Sequence, residues 1–194
     1  MRKLTGIILV TFTIFSFTTL KREKKAIDLT ESKIEWLGKK NANKKRVSTH
    51  VGTLNFSSGH LVFEGEKMVG GSFIVDMTSL VVTDHDLHET LKKILEKHLK
   101  SDDFFAVDEF TTSELVFTKV KRLKGKYQVT ADLTIKGNTN SVNFDMFING
   151  NSAITNFNLD RTKYDIKFGS KVLFDKVKNK VLEDEFEVSV KLQF

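Results

Sequence analysis

The chain has 194 residues and a formal net charge of +6, and it contains no cysteine. This length suffices for one domain with a substantial core, and the lack of cysteine excludes disulfides, thiolate chemistry, iron–sulfur clusters and cysteine-type zinc sites. The basic residues are spread over loops rather than along one face with stacking aromatic rings, so we expect no nucleic-acid partner and only a transient contact with anionic lipid head groups.

The first twenty residues have the pattern of a secretory signal peptide. Arg2 and Lys3 precede an uncharged, largely apolar run at 4–20, which the charged, mostly basic segment 21–25 ends. At about 1.5 Å per helical residue the run spans roughly 26 Å, short of the ~30 Å hydrocarbon core of a bilayer. We therefore predict a signal peptide at 1–20, cleaved between residues 18 and 26, in preference to an uncleaved anchor. Cleavage would leave one domain, 27–194, in the periplasm.

Period-two alternation of apolar and polar residues dominates the rest of the chain and predicts an antiparallel barrel or sandwich. The clearest strands lie at 127–135, at 142–148 and at the C-terminus, and a turn-forming stretch at 136–139 separates the first two. Shorter candidate strands contain Ile34 and Trp36; Leu54 and Phe56; Leu61 and Phe63; Phe73, Val75 and Met77; Leu115 and Phe117; Phe157 and Leu159; Ile166 and Phe168.

Between residues 77 and 110 the apolar period changes from that of a strand to that of a helix. We predict one amphipathic helix, capped at its N-terminus by Asp84 or Asp86 and laid against the sheet or over a barrel mouth. Its apolar positions are Leu87, Leu91, Ile94, Leu95 and Leu99.

Phenylalanine is the most distinctive residue of this chain, with 17 copies against one tryptophan and two tyrosines. Most of these rings have the inward parity of the predicted strands, where they either fill a core or line a cavity for an apolar ligand. Alternation alone does not separate a filled barrel from a hollow one. The candidate lining residues are Phe63, Phe73, Val75, Leu115, Phe117, Val129, Leu133, Phe144 and Met146.

Several motifs, taken in order, resemble those of the YceI-like family of polyisoprenoid-binding proteins. They are HVG at 50–52, GSFIVDM at 71–77, HLKSDDFF at 98–105, LTIKGNT at 133–139, and Arg161 with Tyr164. The resemblance covers roughly residues 27–194. It implies an all-β fold, an extended lipocalin-like antiparallel barrel of about eight strands with a short helical insert. It also implies export and a hollow interior that carries a polyisoprenoid or an isoprenoid quinone, with no cofactor.

Individual motif residues have ordinary structural interpretations. We expect His98 to cap the helix or to bond backbone where the helix ends. We expect Arg161 to form an ion pair, and Tyr164 to pack its ring with the hydroxyl at the barrel rim.

Two alternatives to a lipid carrier stay open. The segment 84–89 holds the densest cluster of potential metal ligands, and His85, His88 and Glu89 could serve a metal-dependent periplasmic enzyme. A polar helix N-terminus explains the same residues without a metal, and we favour that interpretation. In the second alternative the barrel is filled and acts as an interaction module. Only a carrier needs a cavity; we expect no metal and no catalysis, and the sequence leaves a homodimer open.

Overall fold

The structure is a computed structural model that describes residues 21–41, 47–168 and 181–194. Nine strands, one α-helix and one short 3₁₀ helix make up its regular elements. The strands are β1 (Arg22–Ala26), β2 (Lys33–Asn41), β3 (Val47–Glu64), β4 (Lys67–Val82), β5 (Thr112–Leu123), β6 (Lys126–Ile135), β7 (Asn138–Asn149), β8 (Ser152–Asp160) and β9 (Val181–Gln193). Helix α1 (Glu89–Lys100) lies between β4 and β5, and the 3₁₀ helix (Arg161–Tyr164) follows β8.

Eight of these strands close into an antiparallel barrel. The order is β3-β2-β9-β8-β7-β6-β5-β4, and the pairing of β4 with β3 closes the ring. Closure pairs both edges of the sheet, which would otherwise present unbonded backbone groups. The predicted barrel of about eight strands with a short helical insert is therefore confirmed.

Strand β1 is the ninth strand and an addition to the barrel. It pairs with the last part of β3, with Arg22 opposite Glu64 and Ala26 opposite His60. This strand was not predicted, because four of its five residues are charged and the sequence shows no alternation there. The burial of β1 shows no alternation either, since four of its five residues are exposed.

The two ends of the barrel differ. At one end, here called the turn end, two-residue turns join β3 to β4, β5 to β6 and β7 to β8. The other end, here called the helix end, holds α1, the 3₁₀ helix and the turn between β6 and β7. That turn is Lys136–Gly137, with φ of 50° and 72°, the left-handed pair that a type I′ hairpin requires. The predicted turn at 136–139 was too long, because β7 begins at Asn138.

Two details of the predicted elements are wrong. The candidate strand with Ile166 and Phe168 is absent: these residues follow the 3₁₀ helix, and Ile166 is buried there. The N-cap of α1 is His88, whose Nδ1 accepts from the backbone N–H of Thr90 at 3.3 Å. Neither Asp84 nor Asp86 caps the helix.

The Asp84 side chain forms its hydrogen bonds with β3 and not with the helix. Its Oδ1 accepts from the backbone N–H of Val51 at 2.6 Å, and its Oδ2 lies 2.7 Å from Nδ1 of His50. Both carboxylate oxygens therefore hold the chain that leaves β4 against β3. These contacts give the HVG motif one structural role, because the His50 ring and the backbone N–H of Val51 both bind the Asp84 carboxylate.

A buried arginine connects the 3₁₀ helix to β9. Arg161 is 0% exposed, and its guanidinium donates to the carbonyl oxygens of Glu183 at 3.1 Å and Ile166 at 2.7 Å. It also forms an ion pair with Asp184 at 3.3 Å. Burial lowers the pKa of the guanidinium, and the charge of Asp184 opposes this shift. The predicted ion pair is present, with Arg161 fully buried and the Asp184 side chain 23% exposed.

Replacing Arg161 by Met should lower the free energy of unfolding by about 3 kcal/mol, because Asp184 and two carbonyl groups lose their donor. The matched control is Arg22→Met, since the Arg22 side chain is 73% exposed and pairs with Glu64 at the surface. That change should cost less than about 1 kcal/mol. Urea denaturation of both variants measures the difference, and equal losses would contradict a special role for Arg161.

Candidate functional site

An apolar cavity of about 120 Å³ lies inside the barrel. All eight barrel strands contribute to its lining, and Leu99 of α1 and Phe105 line it from the helix end. The hydroxyl-bearing residues of the lining are Ser113 and Thr155, and Oγ1 of Thr155 already donates to the carbonyl of Asp145 at 2.8 Å. Such a lining offers little to a polar molecule and suits an apolar one.

Five phenylalanines form a connected belt around this cavity. Their successive ring centroids are 5.8, 5.7, 5.8 and 5.2 Å apart, which is the contact range of aromatic pairs. The rings come from five different strands and set the width of the cavity at this level. The members of this phenylalanine belt are Phe56, Phe73, Phe117, Phe144 and Phe157.

Two glycines make room for the belt. A Cβ atom at Gly59 would lie 2.5 Å from Cδ1 of Phe73, and one at Gly71 would lie 3.0 Å from Cε2 of Phe117. Larger residues at these positions would press on the two rings. The GSFIVDM motif therefore begins with glycine because a larger side chain at position 71 would press on the ring of Phe117.

Seven of the nine predicted lining residues lie on this cavity, and Phe63 and Val129 do not. Both are buried: the ring of Phe63 packs on Phe194 near the turn end, with 5.6 Å between centroids, and Val129 lies opposite the lining residue Phe144 without reaching the cavity. Alternation predicts which side chains face inward, but not the level at which the interior is filled. Contact of these residues with a ligand stays a prediction. The seven are Phe73, Val75, Leu115, Phe117, Leu133, Phe144 and Met146.

A large part of the lining was not predicted from the sequence. Residues from β2, β3, β8 and β9 had visible inward parity, but they were not chosen as lining residues. Leu99 and Phe105 lie outside the strands, so only the fold brings them to the cavity. The missed strand residues include Ile34, Trp36, Leu54, Phe56, Phe157, Leu159, Phe186, Val188, Val190 and Leu192.

The HLKSDDFF motif builds the cover of the helix end. Ser101 ends the helix by donating its hydroxyl to the carbonyl of His98 at 2.7 Å. The His98 ring packs edge-on against Phe104, at 5.9 Å between centroids, so its side chain packs rather than bonding backbone. Phe104 is buried and lies 5.0 Å from Phe105. The motif thereby turns the chain so that Leu99 and Phe105 both reach the cavity.

Tyr164 differs from its prediction. Its ring is packed, but its hydroxyl is buried without a hydrogen-bond partner rather than placed at the barrel rim. Burial raises the pKa of Tyr164 to about 12. The residue is not part of the cavity lining.

The alternative metal ligands make separate contacts. His85 is exposed, His88 caps the helix, and Glu89 bonds to Lys92 at 2.8 Å, which lowers the pKa of Glu89. In the described ranges no group of three or more acidic and histidine side chains could hold a metal ion. The arrangement is that of an ordinary helix N-terminus.

Two solved structures share this fold. BcnA of Burkholderia cenocepacia is 19% identical, with a TM-score of 0.65 over 86% of this chain and 98% of that one. A polyisoprenoid binding domain from Saccharophagus degradans is 11% identical, with a TM-score of 0.54 over 86% of this chain and 95% of that one. At such identities these similarities show the fold alone.

Sequence similarity is more specific. A UPF0312 protein of Staphylococcus aureus (strain USA300) is 38% identical over 90 residues, which is 41% of this chain and 50% of that protein. The chain thus spans about half the length of the curated relatives that it matches first. The model of the YceI-like domain matches residues 26–194, nearly all of the part that the structure describes. This chain therefore belongs to the YceI-like family.

Proposed function

We propose that this protein is an exported carrier that binds an isoprenoid lipid or an isoprenoid quinone inside its barrel, without a catalytic step. The cavity carries this proposal, because apolar side chains from all eight barrel strands surround it. Burial of apolar surface contributes about 25 cal/mol per Å², so a long apolar ligand needs no charge or metal to be held. Membership of the YceI-like family and the polyisoprenoid-binding structural neighbour support the proposal.

The ligand has to widen the cavity. Its volume of about 120 Å³ is close to the ~150 Å³ of an engineered cavity that takes up benzene, so it has room for one small apolar group. A chain of several isoprene units requires rings of the phenylalanine belt to turn aside. The filled-barrel interaction module is the alternative in which these rings do not move.

A polar side chain in the belt should weaken binding. Phe144→Asn places an amide without a partner in the cavity, at a cost of roughly 1–3 kcal/mol, so the affinity for a polyprenol should fall by about tenfold. The matched control is Phe147→Asn, on the same strand but 48% exposed, which should leave the affinity unchanged. Titration with a fluorescent polyprenol measures both variants.

Folding must be checked in the same samples. Both variants should keep the sheet signal of the wild type in circular dichroism, so that lost binding is not merely lost structure. If folded wild-type protein takes up neither a polyprenol nor a quinone, the carrier proposal fails and the filled barrel replaces it.

Helix α1 offers a route between a membrane and the cavity. Leu91 and Ile94 are 52% and 60% exposed, whereas Leu99 of the same helix lines the cavity. The helix carries four lysines and two glutamates, so anionic head groups attract it. We propose that this face rests on an anionic bilayer while the ligand passes. No helix in the described part of the chain is long and apolar enough to span a membrane.

Removing the exposed apolar side chains of α1 should slow ligand transfer without changing equilibrium binding. The double change Leu91→Ser and Ile94→Ser should reduce the rate of polyprenol uptake from phosphatidylglycerol vesicles by roughly tenfold. The matched control changes Phe147 and Ile154 to Ser, an exposed pair opposite each other on β7 and β8. Equal slowing in both double variants would argue against a specific role for the helix face.

Export predicts a shortened N-terminus. The mature protein should begin between Thr18 and Ile27 and should be recovered in the soluble periplasmic fraction. Mass spectrometry of the intact purified protein measures this end. Recovery of the chain with Met1 in washed membranes would support the anchor instead.

A further inference from the structure

Trp36 carries a hydrogen-bond donor that has no partner in the described structure. Its Nε1 atom is buried and unbonded. Trp36 is also the one tryptophan in the sequence, and its side chain lines the apolar cavity. A buried N–H without an acceptor costs the folded protein the hydration that this group had in water. Such a donor beside a cavity suggests that the missing acceptor belongs to a ligand.

Neighbouring strands hold the indole at the helix end. Trp36 pairs with Gly52 of β3, and Gly52 pairs with Val82, the last residue of β4. A Cβ atom at Gly52 would lie 2.5 Å from Cε2 and 2.3 Å from Cζ2 of the indole. Because Cε2 is bonded to Nε1, the lack of a side chain at Gly52 leaves the space that the ring occupies beside its N–H group. The glycine of the HVG motif therefore makes room for the part of the indole that carries the donor.

The other polar groups nearby do not fill the same role. Tyr164 also has an unpartnered buried hydroxyl, but its side chain does not line the cavity. Thr155 does line the cavity, and its hydroxyl already donates to a carbonyl group. Trp36 thus combines a place on the cavity wall with an unused donor.

We propose that Nε1–H of Trp36 donates a hydrogen bond to an oxygen of the ligand's head group, a prenol hydroxyl or a quinone carbonyl. This inference rests on the proposed function and gives the ligand a direction. The oxygen-bearing head lies at the helix end, and the isoprenoid tail follows the phenylalanine belt toward the turn end. Because Nε1 is covered in the structure, the side-chain movement that admits the ligand must also uncover it.

The wild-type protein provides a direct test, because a single indole N–H gives a single ¹⁵N-correlated NMR peak. Hexaprenol and squalene have the same number of isoprene units, but squalene has no oxygen. Hexaprenol should move the indole proton downfield, as hydrogen bonding does, and squalene should not. A ubiquinone with a tail of equal length shows whether a carbonyl serves as well as a hydroxyl. The same shift with squalene would overturn the hydrogen bond.

The variant Trp36→Phe tests the energetic contribution. It removes the donor and keeps an aromatic ring, so affinity for hexaprenol should fall by roughly tenfold, while affinity for squalene should change by less than about twofold. The urea midpoint of the ligand-free variant reports folding. Equal losses for both probes would reject a role for the N–H while leaving the carrier function intact. Binding of none of the probes to the wild type would overturn both proposals.

Discussion

The pairing of β3 on both of its edges is the constraint on which the rest of the structure depends. This strand has 18 residues, long enough to bond β1 and β2 along one edge and β4 along the other. Its pairing with β4 shifts register three times, and such irregularities bend a strand and increase its twist. Because β3 is bent, it can pair with β4 at the far edge of the sheet and close the barrel. Without that closure the inward phenylalanines would face water instead of one another.

Closure also explains how one interior can be both core and cavity. Near the turn end, large side chains such as Met68 and Leu61 are fully buried and fill the space between the strands. Nearer the helix end, the phenylalanine belt and Trp36 leave a gap that the helix partly covers. The filled part stabilises the barrel by apolar burial. This stabilisation offsets the cost of the empty cavity near the helix end, which a tightly packed core would not contain.

The fold was predictable from the sequence to a greater extent than the site. Alternation in β6 and β9 depends only on local geometry, so the inward parity of Leu133 and Phe186 could be inferred from spacing. The level at which the interior is open depends on how distant rings pack, which no local pattern contains. Phe63 was therefore predicted as a lining residue and packs against Phe194 instead. The unbonded donor of Trp36 had no sequence pattern either, because hydrogen-bond satisfaction is a property of the folded chain.

The direction of β1 has a mechanical consequence. Its first residue, Arg22, lies opposite Glu64 at the turn end, far along β3 from the helix end. A leader held in a membrane would therefore tether the barrel by its turn end. The helix end, where Leu99 and Phe105 line the cavity, would then face away from that membrane. Under the proposed function, cleavage of the leader would release that tether and let the helix end turn toward the membrane.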